Sequence, residues 1–419
     1  MNKKLIAFLL ILSLFISLSL SPANAAVKSG SACKSFGATF EDSGKVFTCN
    51  KSGKKLTWSK GVAIDTGWYA WEFRISAKGI LERKESLFGK WNSLPTRPGQ
   101  IIDPIRLKAF NEIQKHLTSQ TSIGKSLSIK YSPNVNSDVR KTINTYFNQS
   151  LSFFGSEIPS SAKLETIIST EKDDEFLKNK ILEVENNSKY GYDTYERSKA
   201  FFDQFKNDNP LNSSGGGAVG STSQPGVYMY VGAVCSCFKG ENVLMYNIAH
   251  EVTHYFQSAN TPSIRKQNFE TINGELKELT VYIPLNLMEG SANTLGSALT
   301  VKYPGWYSDQ MDWHLGRLKS RGFLSEIASN EDAVKLLLAS DSWLPKKDQD
   351  PEISYVLGQL QYEFYISKYG VRAFFDLFKN IEKLGSYDLA IVQTIGKSKS
   401  EFYSESAGYV MKAFNQVKN

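Results

Sequence analysis

His250 and His254 stand four residues apart in the run Asn247-Ile248-Ala249-His250-Glu251-Val252-Thr253-His254-Tyr255-Phe256-Gln257. Read as a helix, this run puts the two imidazoles one turn apart on the same face. The pair constrains the chain more than any other feature, because only four histidines occur in 419 residues. Two neutral imidazoles at that spacing can hold one Zn²⁺. Glu251, beside the first of them, can take a proton from a metal-bound water. The competing view is an amphipathic core helix with two incidental histidines.

A catalytic zinc site needs three protein ligands and an open position. One common pattern would place a third His at position 260, but that residue is Asn260, and position 257 is Gln257 rather than Gly. The best third donor is Glu289, in Leu285-Asn286-Leu287-Met288-Glu289-Gly290-Ser291-Ala292-Asn293, 35 positions after His254. Gly290 and the small residues after it let this segment, as a helix, come close to the histidine helix. Glu270, Glu275 and Glu278 are weaker candidates in polar, loop-like sequence.

Residues 1–25 read as a secretory signal peptide. Lys3 and Lys4 form the basic start, an apolar stretch follows, and Ala23-Asn24-Ala25 fits the cleavage site. No later stretch is long and apolar enough to span a bilayer, so the expectation is a secreted protein, extracellular or associated with the cell surface. The net charge is +7, two of it from the leader, and the remaining positive residues look scattered along the chain. Scattered charge suggests a solvated surface and no nucleic-acid partner.

Length suggests two or three folded units. Cys33 and Cys49 bracket a small module at 27–62, where a disulfide is the default for an exported chain. Closing a loop of about 15 residues stabilises by about 3 kcal/mol in the chain-entropy estimate. Residues 63–125 read as a linker with helices, among them Ile105 to Leu117, whose His116 is structural. From 126 the pattern becomes α/β, with strands expected at Leu127 to Tyr131, Leu164 to Ser169 and Val227 to Val231, and a helix after Ser137. Ser213 to Gly226 reads as a flexible loop. A strand placed just before a zinc helix resembles the arrangement in zinc proteases, which implies that an extended substrate would add there by strand pairing. Cys235 and Cys237 are either a strained disulfide or a buried reduced pair. Residues 301–419 look mainly helical.

His250-Glu251-x-x-His254 with Glu289-Gly290-x-Ala292 resembles the gluzincin, or peptidase MA-like, zinc metallopeptidases, over roughly Ser126 to the C-terminus. The resemblance implies an α+β fold: a zincin-like catalytic domain at 126–300, with a small mixed sheet and the active-site helix, then a helical subdomain at 301–419. It implies zinc on His250, His254 and Glu289, with Glu251 as general base. Tyr355-Val356-Leu357-Gly358 is similar to the Tyr-x-x-Gly of the aminopeptidase branch, which gives Tyr355 the oxyanion. His314 is the competing donor, and a core tyrosine is the plainer view of Tyr355. Asn293 stands where thermolysin-like members carry an Asp that bonds a ligating His, and its amide oxygen could accept the same bond. The Gly-x-Met-Glu-Asn stretch of the aminopeptidases is absent between Gly215 and Glu241, which favours cleavage within chains. The small module resembles a two-cysteine module on secreted actinobacterial proteins, which adds cell-wall or surface association to the expected partners.

The expectation is therefore a secreted zinc-dependent endopeptidase acting on peptide or protein substrates. The alternatives are a non-catalytic cell-surface binding protein on the same fold, and a zinc hydrolase of a non-peptide bond.

Overall fold

A computed structural model of the chain describes residues 28–63 (apart from 35, 37–38 and 43–44), 73–75, 81–83, 102–119, 128–207, 216–264 (apart from 235 and 237–244), 269–278 (apart from 273–274), 283–301, 304–320, 328–342 and 352–418. The expected leader at 1–25 and the pair Cys235 and Cys237 lie outside the described residues. The chain divides into two compact units: residues up to Ile64 together with Arg97–Ile101, and the remainder.

The first unit is a small antiparallel sheet. Strands β1 (Thr39–Asp42), β2 (Lys45–Ser52), β3 (Lys55–Trp58) and β4 (Val62–Ala63) follow in order, and β2 pairs with the other three. Gly53, at φ 61°, makes the tight turn between β2 and β3, a conformation a side chain would strain. Cys33 and Cys49 are at disulfide distance, with Cα atoms 5.9 Å apart. Among the described side chains Cys49 and Phe47 are buried, and a unit of this size is one that a covalent staple stabilises.

The second unit begins with the hairpin β5 (Phe73–Ile75) and β6 (Leu81–Arg83) and helix α1 (Pro104–Ser119). Strand β7 (Ile129–Tyr131) leads into α2 (Ser137–Phe154). The N-cap of α2 is Asn136, one residue before the expected Ser137, and its side chain accepts from the Asp138 amide at 2.9 Å. Strand β8 (Lys163–Thr170) and helices α3 (Asp174–Val184) and α4 (Lys189–Asn207) follow. Next come β9 (Gly216–Ser221), β10 (Val227–Val234) and α5 (Met245–Asn260). The main sheet has the order β7-β8-β10-β9, parallel except for β9.

Alternation on the strands assigns the two sheet faces. Ile167, Met229, Val231 and Ala233 pack with Leu177, Ile181, Tyr195 and Phe202 of α3 and α4. Tyr228 and Tyr230 point the other way. Tyr230 meets Phe147 of α2, and Tyr228 meets Tyr255 of α5 and donates to the Ser258 carbonyl at 2.9 Å. The helix α5 is thereby fixed against the sheet.

Two corrections concern this sheet. Residues 216–221, expected within a flexible loop, form the edge strand β9. Gly217 is needed there because a Cβ on it would sit 2.3 Å from the Tyr230 hydroxyl. Strand β10 is flanked on both sides by β8 and β9. It cannot receive a further strand, so among the described strands the open edge next to α5 belongs to β9.

After the hairpin β11 (Phe269–Ile272) and β12 (Glu275–Glu278) the unit is helical: α6 (Leu285–Thr300), α7 (Pro304–Ser320), α8 (Asn330–Ala339), α9 (Glu352–Leu384), α10 (Tyr387–Ile395) and α11 (Lys399–Lys418). Helix α9 breaks at Gly370, where φ 82° and ψ 169° suit only glycine. Helix α6 lies at the centre, buried over nearly its whole length, against α5 on one side and α9 on another. Phe256 of α5 stacks on Phe154 at 4.7 Å and meets Phe374, Phe375 and Phe378 of α9.

Helix α1, from the stretch read as a linker, is part of this core. Its buried Arg106 bonds Glu363 of α9 at 3.2 Å and Ser308 and Asp312 of α7 at 3.0 and 2.8 Å. His116 bonds the Phe153 carbonyl at 2.9 Å and packs edge-on against Phe153 and Phe375, a structural role. The architecture is mixed α and β, with small sheets beside a larger helical part, as the α+β expectation requires. Among the described residues no helix is long and apolar enough to cross a membrane.

Candidate metal centre

The sequence run around His250 forms α5, and its polar face carries Tyr246, His250, His254 and Gln257 at helical intervals. Helix α6 crosses α5 and brings Glu289 to the two histidines. His250 Nε2 and His254 Nε2 are 3.0 Å apart, and Glu289 Oε2 is 3.3 and 3.2 Å from them. These three donors could hold a metal ion. The fit is close: an ion bound tetrahedrally at about 2.0–2.1 Å holds its ligand atoms about 3.3 Å apart.

Electrostatics favour the same arrangement. Burial opposes ionisation of Glu289, but the imidazoles, His254 foremost, hold its carboxyl well below the usual range. Burial also disfavours a charged His254, yet Glu289 pushes its pKa up to about 9. The three side chains are largely buried rather than solvated on a surface.

Glu251 is not one of these three donors. Its Oε2 accepts the Val219 amide of β9 at 2.8 Å, so the edge strand holds the carboxylate beside the triad without making it a ligand. His250 and Glu251 are each 9 % exposed. Burial raises the Glu251 pKa and the nearby Glu289 adds to it, against the two imidazoles. A carboxylate raised in this way is a better proton acceptor near neutral pH.

The partner that orients His254 is Gln257, whose Oε1 accepts from Nδ1 at 2.7 Å. The Gln257 amide nitrogen donates to the Met288 carbonyl and the Ser291 hydroxyl of α6, at 3.0 and 2.9 Å. One side chain thus fixes a ligand ring and locks the two ligand-bearing helices together. The expectation for Asn293 is corrected: its Oδ1 accepts from the Tyr246 hydroxyl, not from a ligating histidine. Tyr246 lies with its ring centroid 5.8 Å from His250 and 5.7 Å from His314. His250 Nδ1 has no hydrogen-bond partner among the described residues. Packing from Tyr246, and from Gly296 where a Cβ would meet the His250 Cβ at 3.3 Å, fixes that ring instead.

The glycine after Glu289 serves a contact other than the expected one. A Cβ on Gly290 would lie 2.1 Å from the backbone of Gly358 on α9, and one on Gly358 would lie 2.1 Å from the Asn286 carbonyl. Gly290 admits α9, whereas Gly296 admits α5. Tyr355 sits half-buried one turn before Gly358, on the stretch of α9 nearest α6. His314 is buried on α7. The weaker ligand candidates Glu270, Glu275 and Glu278 lie in the β11–β12 hairpin. Comparison with family models, with curated proteins and with solved structures returns no match to this chain.

Proposed function

We propose that the protein is a secreted zinc-dependent peptidase of the gluzincin type that cleaves within peptide chains. The observation that carries this is the convergence of His250, His254 and Glu289 on one point, with a buried, non-ligating Glu251 beside them. Two imidazoles and one carboxylate are the donor set of catalytic rather than structural zinc.

In this function His250, His254 and Glu289 hold the ion. Zinc, when bound, supplies Lewis acidity and lowers the pKa of water in the cleft. Glu251 accepts the proton of the attacking water and returns it to the leaving amine. Tyr355 donates a hydrogen bond to the oxygen that becomes negative, with His314 as the other candidate. The edge of β9 offers backbone groups for an extended substrate, next to the Val219 amide that holds Glu251. The test is metal analysis of the purified protein together with digestion of a peptide library. Internal cleavage that stops on chelation and returns with zinc supports the function. A zinc-loaded protein that cleaves no peptide refutes it.

A further inference from the structure

The net positive charge of this chain belongs to its small first unit. Of the +7, Lys3 and Lys4 of the leader account for two. Residues 28–63 account for five, with seven lysines against Glu41 and Asp42, so residues 64–419 balance to zero. The scatter seen along the sequence is a projection of this partition: the excess follows the boundary between the two compact units. All seven lysines, Lys28, Lys34, Lys45, Lys51, Lys54, Lys55 and Lys60, are exposed.

The fold concentrates them further. Lys51 ends β2, Lys54 lies in the turn after Gly53, and Lys55 opens β3 opposite Ser52. Lys34 is 17 residues before Lys51 in sequence. The amide of Cys33 next to it donates to the Leu56 carbonyl at 3.1 Å, which brings it to the same end of the sheet. Both acidic residues are at the other end, Glu41 and Asp42 pairing with Val46 and Lys45. Six strand residues separate the two ends, about 20 Å, more than two Debye lengths at physiological salt. The acids therefore do little to neutralise the tip. Four like charges gathered at one hairpin repel one another, a cost that an anionic partner removes.

We infer that this hairpin tip, Lys34, Lys51, Lys54 and Lys55, is a docking site for a linear polyanion with phosphate groups along its chain, and that it tethers the second unit to such a polymer. Three features select that partner. No arginine lies between residues 28 and 63, so the tip itself lacks the planar forks that read one carboxylate or phosphate geometry. Lysines act as point charges that suit phosphate without a fixed stereochemistry. Lys51 and Lys55 lie on opposite faces of the β2–β3 pair, because Lys51 is in register with Leu56, the neighbour of Lys55 on β3. A flexible chain can reach both faces, whereas a flat membrane meets one. This inference stands apart from the metal centre and holds whatever the second unit does.

The test uses the full chain and inorganic polyphosphate as the probe, with phosphatidylglycerol vesicles and polygalacturonate as comparisons. The wild-type protein is expected to bind polyphosphate with an affinity whose logarithm falls with that of salt at a slope of about −3, from four lysines at about 0.7 each. The variant Lys51→Glu, Lys54→Glu, Lys55→Glu should lose binding at least about tenfold at low salt. A control with the same change in net charge on the second unit, Lys108→Glu, Lys141→Glu, Lys172→Glu, should bind as wild type does. Circular dichroism on both variants confirms that the exposed substitutions leave the fold intact. Three results would overturn the inference: no wild-type binding at low salt, equal loss in both variants, or preference for the vesicles or polygalacturonate over polyphosphate.

Discussion

Gln257 Oε1 accepts a hydrogen bond from His254 Nδ1 at 2.7 Å, three residues along the same helix. The bond fixes the tautomer of His254, so that Nε2 faces Glu289 and His250. Changing Gln257→Leu removes the acceptor and also frees the Met288 carbonyl and Ser291 hydroxyl. Zinc affinity should fall about 10–100-fold, as for other partners of ligating histidines. Gln257→Glu, which keeps the acceptor, should retain more of the affinity than the leucine variant. Competition with a chromogenic chelator measures both, and equal affinity in all three proteins would remove Gln257 from the site.

The glycine contact between α6 and α9 makes a different prediction. Gly290→Ala or Gly358→Ala places a methyl group 2.1 Å from backbone atoms that cannot rotate away. The helices must separate, at a cost of about 3 kcal/mol, the upper end of ordinary overpacking. Because Glu289 is adjacent to Gly290, the displacement should also weaken metal binding. Denaturant titration reads the first effect and metal titration the second. A variant with unchanged stability would show that the close approach is not real.

Stability in acid should depend on Glu405. Hydrogen bonds from Lys368 at 2.7 Å, from Lys397 and from Tyr369 at 3.1 Å hold its pKa at about 2. The folded value lies below the unfolded one, so its contribution is present above about pH 4.3 and is lost as pH falls toward 2. The site is partly open to solvent, so the contribution is modest. Glu405→Gln should lower the melting temperature at pH 7, and the gap to wild type should narrow steadily as pH falls from about 4 toward 2. A gap as wide at pH 2 as at pH 7 would mean that packing, not charge, is responsible.

The oxyanion donor can be assigned by kinetics. Tyr355→Phe should lower kcat on the order of 10²–10³ with little change in KM, while zinc content stays the same. Full activity in Tyr355→Phe, combined with loss in His314→Ala, would give the role to His314.

How much of this was legible in the sequence varied with the kind of information involved. The helix bearing His250 and His254 was readable because its signal is local, two ligand types at one helical turn. Glu289 was readable as a residue type beside a glycine, but its meeting with the histidines depends on how α6 crosses α5. Strand β9 was missed because Gly-Gly-Ala-Val-Gly-Ser has loop composition. The reason for it, the Tyr230 ring beneath Gly217, lies on another strand. The partner of Asn293 was misjudged for a similar reason: Tyr246 reaches it first from the preceding turn of α5. Helical spacing alone, at i−4 from His250, could have flagged Tyr246. The charge of the first unit was countable, but only the unit boundary and the pairing of β2 with β3 turned scattered lysines into a cluster.

The central claim is that Glu251 does chemistry at a zinc held by His250, His254 and Glu289. The most direct measurement is hydrolysis of a peptide found in the library digest, by wild type and Glu251→Gln at matched zinc content. The account predicts equal zinc, an unchanged fold and near-complete loss of cleavage, because the amide cannot accept the proton of the attacking water. Cleavage by Glu251→Gln at the wild-type rate would contradict it.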